Sequence, residues 1–188
     1  MSDLDVDLDR LNAATPADAS TALAPLFEGA PRFLGRLVAA RPFRSWDELF
    51  EVARAIARTM PEAEQVELID AHPRLGAAPG TVSALSFVEQ GYDRLAGQQG
   101  GDRLAGPAAP AAPADLDVAA ELDRLNAAYE ARFGFRYCVF VAGRAREALL
   151  PGMAAALGED RRAELHRAID AVVDIAVARA AALGGSRG

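Results

Sequence analysis

The sequence predicts an all-α fold: one domain over residues 1–188, a bundle of roughly eight helices with one short extended segment. Three observations carry this. Apolar residues recur at helical spacing through most of the chain. Serine, proline and glycine stand where those stretches begin and end. A single run, residues 135–142, is instead rich in aromatic and β-branched types.

Taken in order, residues 16–28 and 31–40 read as two shorter helices separated by Gly29. Ser45-Trp46-Asp47-Glu48 is a capping box that satisfies free amides at a helix start. Trp46, Leu49, Phe50, Ala53, Ile56, Ala57 and Met60 then share one face. Pro61 restarts a helix carrying Val66, Leu68 and Ile69. That helix should end at His72, because a residue before proline is pushed out of the helical region. A helix of roughly three turns is expected to begin near Ser86. Residues 97–114, rich in Gly, Gln, Ala and Pro, read as a flexible surface insertion within the domain. Beyond it come a helix from about Asp115 to Phe133, the extended segment, and helices around 144–156 and 159–183. The string Leu-Asp-Arg-Leu-Asn-Ala-Ala occurs at 8–14 and at 122–128 with unmatched flanks, which reads as a helix-friendly coincidence and not a duplication.

Composition narrows the chemistry. The net charge of −7 argues against nucleic acid and anionic membrane as partners. No apolar run is long enough to span a bilayer, the acidic stretch Met1–Asp7 is not a targeting peptide, and Ser186-Arg187-Gly188 is not a peroxisomal address. Cys138 is the only cysteine, so no intrachain disulfide is possible and a reducing cytoplasm is expected. Every basic side chain is arginine. Without lysine there is no Schiff-base nucleophile and no anchor for pyridoxal phosphate, biotin or lipoate. Neither a phosphate-binding glycine loop nor a metal-ligand spacing of Cys and His is present, so no metal and no cofactor are expected.

The candidate site begins at His72, one of two histidines. At a helix C-terminus an imidazole can serve the helix dipole structurally. The same field would favour imidazolium and keep a proton available near neutral pH. His166 lies on a charged stripe with Glu159, Arg162 and Asp170 and reads as solvated. Ser86-x-x-Glu89 is compatible with a capping box, and a helix start also offers amides to a polar ligand; Gln90 adds a group that both donates and accepts. Arg179 falls on the apolar face Leu165, Ile169, Val172, Ala176 and Leu183 of the last helix. It either snorkels to solvent or pairs with a carboxylate, from the protein or from a substrate.

His72-Pro73-Arg74-Leu75-Gly76, Ser86-x-x-Glu89-Gln90 and Tyr129-Glu130-Ala131-Arg132-Phe133-Gly134-Phe135 follow one another in that order. Together they resemble the OHCU decarboxylase family, which acts on 2-oxo-4-hydroxy-4-carboxy-5-ureidoimidazoline (OHCU) at the third step from urate to allantoin. Arg41-Pro42-Phe43 and the Arg179 helix extend the likeness over nearly the whole chain. The resemblance implies a cofactor-free homodimeric enzyme that yields (S)-allantoin and is functionally linked to a 5-hydroxyisourate hydrolase. It implies His72 as catalytic proton donor, with Pro73 and Ser86, Phe87, Val88, Glu89 and Gln90 lining the substrate site. Tyr137, Cys138, Val139, Phe140 and Val141 would offer backbone groups to the ring and ureido amides, and Arg179 would hold the carboxylate or a neighbouring oxygen. Three features depart from the family: Arg136 where proline is frequent, the long 97–114 insertion, and Ala180 after Arg179 where leucine is frequent. Two further readings are a non-catalytic helical binding protein and a cofactor-free hydrolase of a related ureide using His72 and Glu89 on water. The arginine- and alanine-rich composition suggests a GC-rich bacterial genome, hence a bacterial cytoplasm.

Overall fold

The computed structural model describes residues 7–91 and 113–184, with the side chains of 79 and 113–116 left aside. Most of the proposed insertion and both chain ends therefore lie outside the described residues. Nine α-helices run through the described part: α1 (Leu8–Ala13), α2 (Pro16–Leu23), α3 (Pro31–Ala39), α4 (Trp46–Thr59), α5 (Glu62–Asp70), α6 (Ala84–Glu89), α7 (Pro113–Phe133), α8 (Leu150–Ala156) and α9 (Arg161–Ala182). Short 3-10 turns stand at Ala24–Leu26, Pro79–Thr81 and Arg146–Leu149, and no strand is formed among the described residues. The all-α expectation holds. The additional helix is α1, six residues held at its start by Asp7, whose side chain accepts from the Asp9 amide.

The chain packs into two compact units. Among the described residues, the first comprises 7–72, 138–140 and 160–184; the second comprises 73–91, 113–137 and 141–159. In the first, α9 lies against α4 and α5, and α3 packs on α2 and α4. The face predicted for α4 is the buried one at Leu49, Phe50, Ala53, Ala57 and Met60, while Trp46 and Ile56 are half-buried at its margin. Ser45 caps α4 as predicted, its hydroxyl accepting from the Glu48 amide. Glu48 completes a different bond: its carboxylate accepts from the amide and guanidinium of Arg44. α9 is buried on nearly every side, from Leu165 through Val172 and Val173 to Ala180. Arg54 and Arg58 of α4 bind Asp170 on its surface, and Arg54 also reaches Asp174.

In the second unit α7 packs on α8. Its core is aromatic. The Tyr129 ring meets Phe133, Phe135 and Tyr137 at centroid separations of 4.5, 5.7 and 5.1 Å, each pair worth about 0.5–1.5 kcal/mol beyond the area it buries. This accounts for much of the Tyr129–Phe135 motif. Gly134 adopts φ +79°, and its amide closes on the Glu130 carbonyl, ending α7 in the left-handed cap that only glycine enters without cost. The segment expected to be extended follows at once; residues 136–141 take no regular secondary structure, and Phe135, Tyr137, Cys138 and Val141 are buried.

The two copies of Leu-Asp-Arg-Leu-Asn-Ala-Ala share a task although their flanks differ. The Asn12 amide group donates to the Phe43 carbonyl, and its oxygen accepts from the Phe43 amide. Asn126 donates to the Leu75 carbonyl at 2.9 Å. Each asparagine pins a segment that has just passed a proline, Pro42 in one case and Pro73 in the other.

Candidate active site

His72 closes the first long stretch of unit one. Its amide donates to the Ile69 carbonyl, so the helical turn ends on it, as the following proline requires. The imidazole is 4% exposed. Nδ1 lies 3.3 Å from the Leu68 carbonyl oxygen. A carbonyl can only accept, so this contact makes Nδ1 the protonated nitrogen and Nε2 the basic one.

The expectation that a helix end would favour imidazolium is corrected here. The pKa of His72 is pushed down to about 4: burial is the main cause, the Arg179 charge adds to it, and Glu28 and the Leu68 carbonyl oppose it without prevailing. Removing a cation from water outweighs one turn of helix dipole and one backbone acceptor. At neutral pH His72 is a neutral imidazole.

Arg179 does not snorkel. It is 2% exposed, and its guanidinium donates to the Pro25 carbonyl at 2.8 Å and to Glu28 Oε1 at 2.7 Å. The carboxylate it meets comes from the protein. Glu28 escaped the sequence reading, which put it at the end of a helix over 16–28; that helix ends at Leu23, and a glutamate beyond it carries no signal when its partner lies 151 residues away.

In the second unit the residues after His72 form a clamped loop. Gln90, buried at the end of α6, accepts from the Gly76 amide at 2.9 Å and donates to the Arg74 carbonyl at 3.3 Å. Asn126 holds the Leu75 carbonyl between them, and Arg74 pairs with Glu130 of α7 at 2.6 Å. The amide predicted to read a ligand is thus turned onto the chain's own backbone. Sequence reasoning missed Asn126, whose signal was the repeated string itself. Gly76 sits at φ +82°, and a Cβ there would stand 3.1 Å from Leu122 Cδ1. Gly76→Ala is expected to cost about 1–2 kcal/mol in urea unfolding. Gly35→Ala, in the open middle of α3, should instead gain about 0.5–1 kcal/mol in the same measurement.

Ser86 does not begin its helix, which corrects the second expectation. Ser83 is the cap: its φ of −63° and ψ of 160° place its hydroxyl on the Ser86 amide at 3.2 Å. α6 therefore starts three residues earlier, and Glu89 is its last residue, not its third. The helix spans six residues instead of three turns, because Gly91 turns left-handed at φ +76°. Ser86 is buried, Pro73, Phe87 and Glu89 are half-buried, and Val88 is 52% exposed.

Of the backbone-donor segment, Tyr137 and Val141 belong to the second unit and Cys138, Val139 and Phe140 to the first. Arg167 occupies the Cys138 carbonyl at 2.9 Å, and Arg144 occupies that of Val141. Within unit one the Arg179 charge acts on His72; within unit two the structure joins Gln90 to the loop behind Pro73. Two open grooves on unit one, lined by Arg36, Ile56 and Met60 and by Phe50, Arg54 and Val177, touch none of the predicted site residues.

Comparison with known proteins identifies the family and the fold. The family model described as OHCU decarboxylase matches residues 12–181. The uric acid degradation bifunctional protein PucL of Bacillus subtilis is 28% identical over 90% of this chain, which spans 30% of that protein's length. The 2-oxo-4-hydroxy-4-carboxy-5-ureidoimidazoline decarboxylase of Haloferax volcanii is 26% identical, with 94% of this chain and 95% of the relative covered. That of Amia calva is 24% identical over 90% of each. Two solved structures share the fold. An OHCU decarboxylase crystallised in the presence of (S)-allantoin has a TM-score of 0.59 at 18% identity, covering 86% of this chain and 96% of that one. An (S)-allantoin synthase has a TM-score of 0.64 at 17% identity, covering 94% of this chain and 53% of that one. The chain belongs to the OHCU decarboxylase family.

Proposed function

We propose that this protein is a cofactor-independent carboxy-lyase that converts OHCU into (S)-allantoin and CO2 in urate degradation. The observation that carries the reading is the family match running through both compact units, residues 12–181, with His72 buried and neutral inside it. The same match supports treating residues 1–188 as one functional domain.

The substrate suits a chain without lysine. When CO2 leaves C4, the bonding pair passes through C4–C5 to the adjacent imine nitrogen, which takes a proton from solvent. The C4 hydroxyl then gives up its proton to become the carbonyl of allantoin, and C5 gains one. A neutral imidazole with a basic Nε2 serves both transfers: it receives the hydroxyl proton and returns a proton to one face of C5. His72 thus acts as donor only after it has first accepted. Glu89, with Ser86, Phe87 and Val88 of α6 and Pro73, lines the substrate site. Residues 137–141 face the ring and ureido amides, and Arg179 holds the carboxylate so that the breaking bond stands perpendicular to the π-system. Gln90 serves the site chiefly by holding the loop at Arg74–Gly76.

The protein works as a homodimer in the bacterial cytoplasm, functionally linked to a 5-hydroxyisourate hydrolase. The naming of the Bacillus subtilis relative as bifunctional in uric acid degradation supports that link. No helix among the described residues is long and apolar enough to cross a membrane, which fits the location. The test is to generate OHCU enzymatically from urate and follow allantoin by circular dichroism, with and without the protein. A stereospecific, accelerated signal with CO2 release is expected. Unaltered OHCU would make the protein a binding module, and turnover without CO2 release would make it a hydrolase.

A further inference from the structure

We infer that Glu28 is a positioning residue of this site: its carboxylate anchors the guanidinium of Arg179, the cation proposed to hold the substrate carboxylate. The inference rests on the decarboxylase reading for its kinetic consequence and on geometry for the rest.

The backbone at Glu28 is unusual. It adopts φ +51°, a left-handed conformation that costs a residue with a side chain about 1 kcal/mol or more. Gly29 follows at φ +76°, and the turn is closed by the Gly29 amide on the Ala24 carbonyl and the Ala30 amide on that of Phe27. Such conformations persist where surrounding contacts over-determine them, and they concentrate at functional sites. Here the contacts are visible. The turn sits between the Ala24–Leu26 3-10 turn and α3, and it directs the Glu28 side chain, 13% exposed, at Arg179. The Pro25 carbonyl, from the adjoining 3-10 turn, takes the other guanidinium nitrogen at 2.8 Å. One four-residue stretch thus grips both arms of an arginine that its own helix would bury.

Among the charged groups acting on His72 are Arg179, from α9, and Glu28, from this turn; the Leu68 carbonyl acts from its own helix. The two act in opposite directions: the Arg179 charge lowers the pKa of His72 and the Glu28 charge raises it. Without the carboxylate, Arg179 would lose the ion pair that orients its guanidinium, and its charge on His72 would no longer be opposed by that of Glu28. A guanidinium displaced by about 1 Å no longer orients a bound carboxylate, a misplacement that can cost about 100-fold.

The experiment compares wild type with Glu28→Gln, which keeps the shape and removes the charge. Turnover of OHCU is measured, and the imidazole and guanidinium nitrogens are followed by NMR from pH 7 down through pH 4 to pH 3. With only His72 and His166 to assign, the imidazole signals are separable. In Glu28→Gln, kcat/KM is expected to fall about 10- to 100-fold. The His72 midpoint should move below its wild-type position and the Arg179 guanidinium resonance should move with it. Glu28→Asp, which keeps the charge on a shorter stem, should restore part of each. If Glu28→Gln does not fold, the Asp variant must show smaller changes in the same directions. Wild-type kinetics together with wild-type His72 and Arg179 signals would overturn the inference. So would lost turnover with both signals unmoved, since that marks a merely structural residue. An inactive wild type would refute the decarboxylase reading instead, and the NMR signals alone would then decide the role of Glu28.

Discussion

Replacing His72 by alanine is expected to lower OHCU turnover by about 10²- to 10⁴-fold, the usual contribution of a positioned proton-transfer group. The residue has the required attributes. Its ring is buried, its tautomer is set by the Leu68 carbonyl, and its backbone is stiffened by Pro73. No other histidine can substitute, because His166 is half-buried on α9 in the charged stripe containing Arg162 and Asp170. Enantiomeric excess is the sharper readout. A proton delivered by solvent reaches both faces of C5, so the variant should give allantoin with little optical activity. If His72→Ala keeps near-native turnover and still forms one enantiomer, the assignment is wrong. His72→Gln, which preserves size and a hydrogen bond to Leu68, should be as inactive as alanine if proton transfer is the role.

Stability should fall as pH drops from about 6.5 to about 4, and His72 should account for a distinct part of the loss. In the folded protein the imidazole stays neutral down to about 4, whereas in the unfolded chain it takes a proton near its ordinary value of 6.5. Between those values the unfolded state binds more protons, so acid drives unfolding there. Below about pH 4 both states are protonated and the penalty is complete, at a size of order 3 kcal/mol. The carboxylates of Glu48, Glu64 and Asp170 are held low by their arginine partners. Their contribution is present above the ordinary carboxylate range and is lost only as pH falls through their lowered values, so it acts at more acid pH. Urea midpoints measured at pH 7, 5.5 and 4.5 should therefore decline in wild type and decline less in His72→Phe. Parallel slopes would show that His72 does not titrate as a buried neutral group.

The helices of this chain were legible because their signals are local. Ser45 caps α4, Gly29 separates α2 and its 3-10 turn from α3, and proline after His72 stops the turn before it. Each of these acts within four residues. Ser83 and Ser86 show the limit. Both are serines with helix-compatible sequence after them, and local chemistry allows either to cap. The choice fell to packing, which buries Ser86 and leaves Ser83 at the surface.

The sequence alone determined an all-α fold, a candidate histidine at a helix end, and an arginine on an apolar face that needed a partner. It also sufficed to exclude lysine-based covalent chemistry and to suggest the family. The tertiary structure decided what those groups are. It supplied Glu28 to Arg179 across 151 residues, and it turned Gln90 and Asn126 onto the loop behind Pro73. It also made His72 a neutral base instead of a ready acid. The physical reason is common to all three. A helix cap or a helix dipole is set by neighbours in sequence, whereas desolvation and charge pairing depend on which distant residues exclude water from the group. The helix-end position pointed towards imidazolium, and burial reversed it.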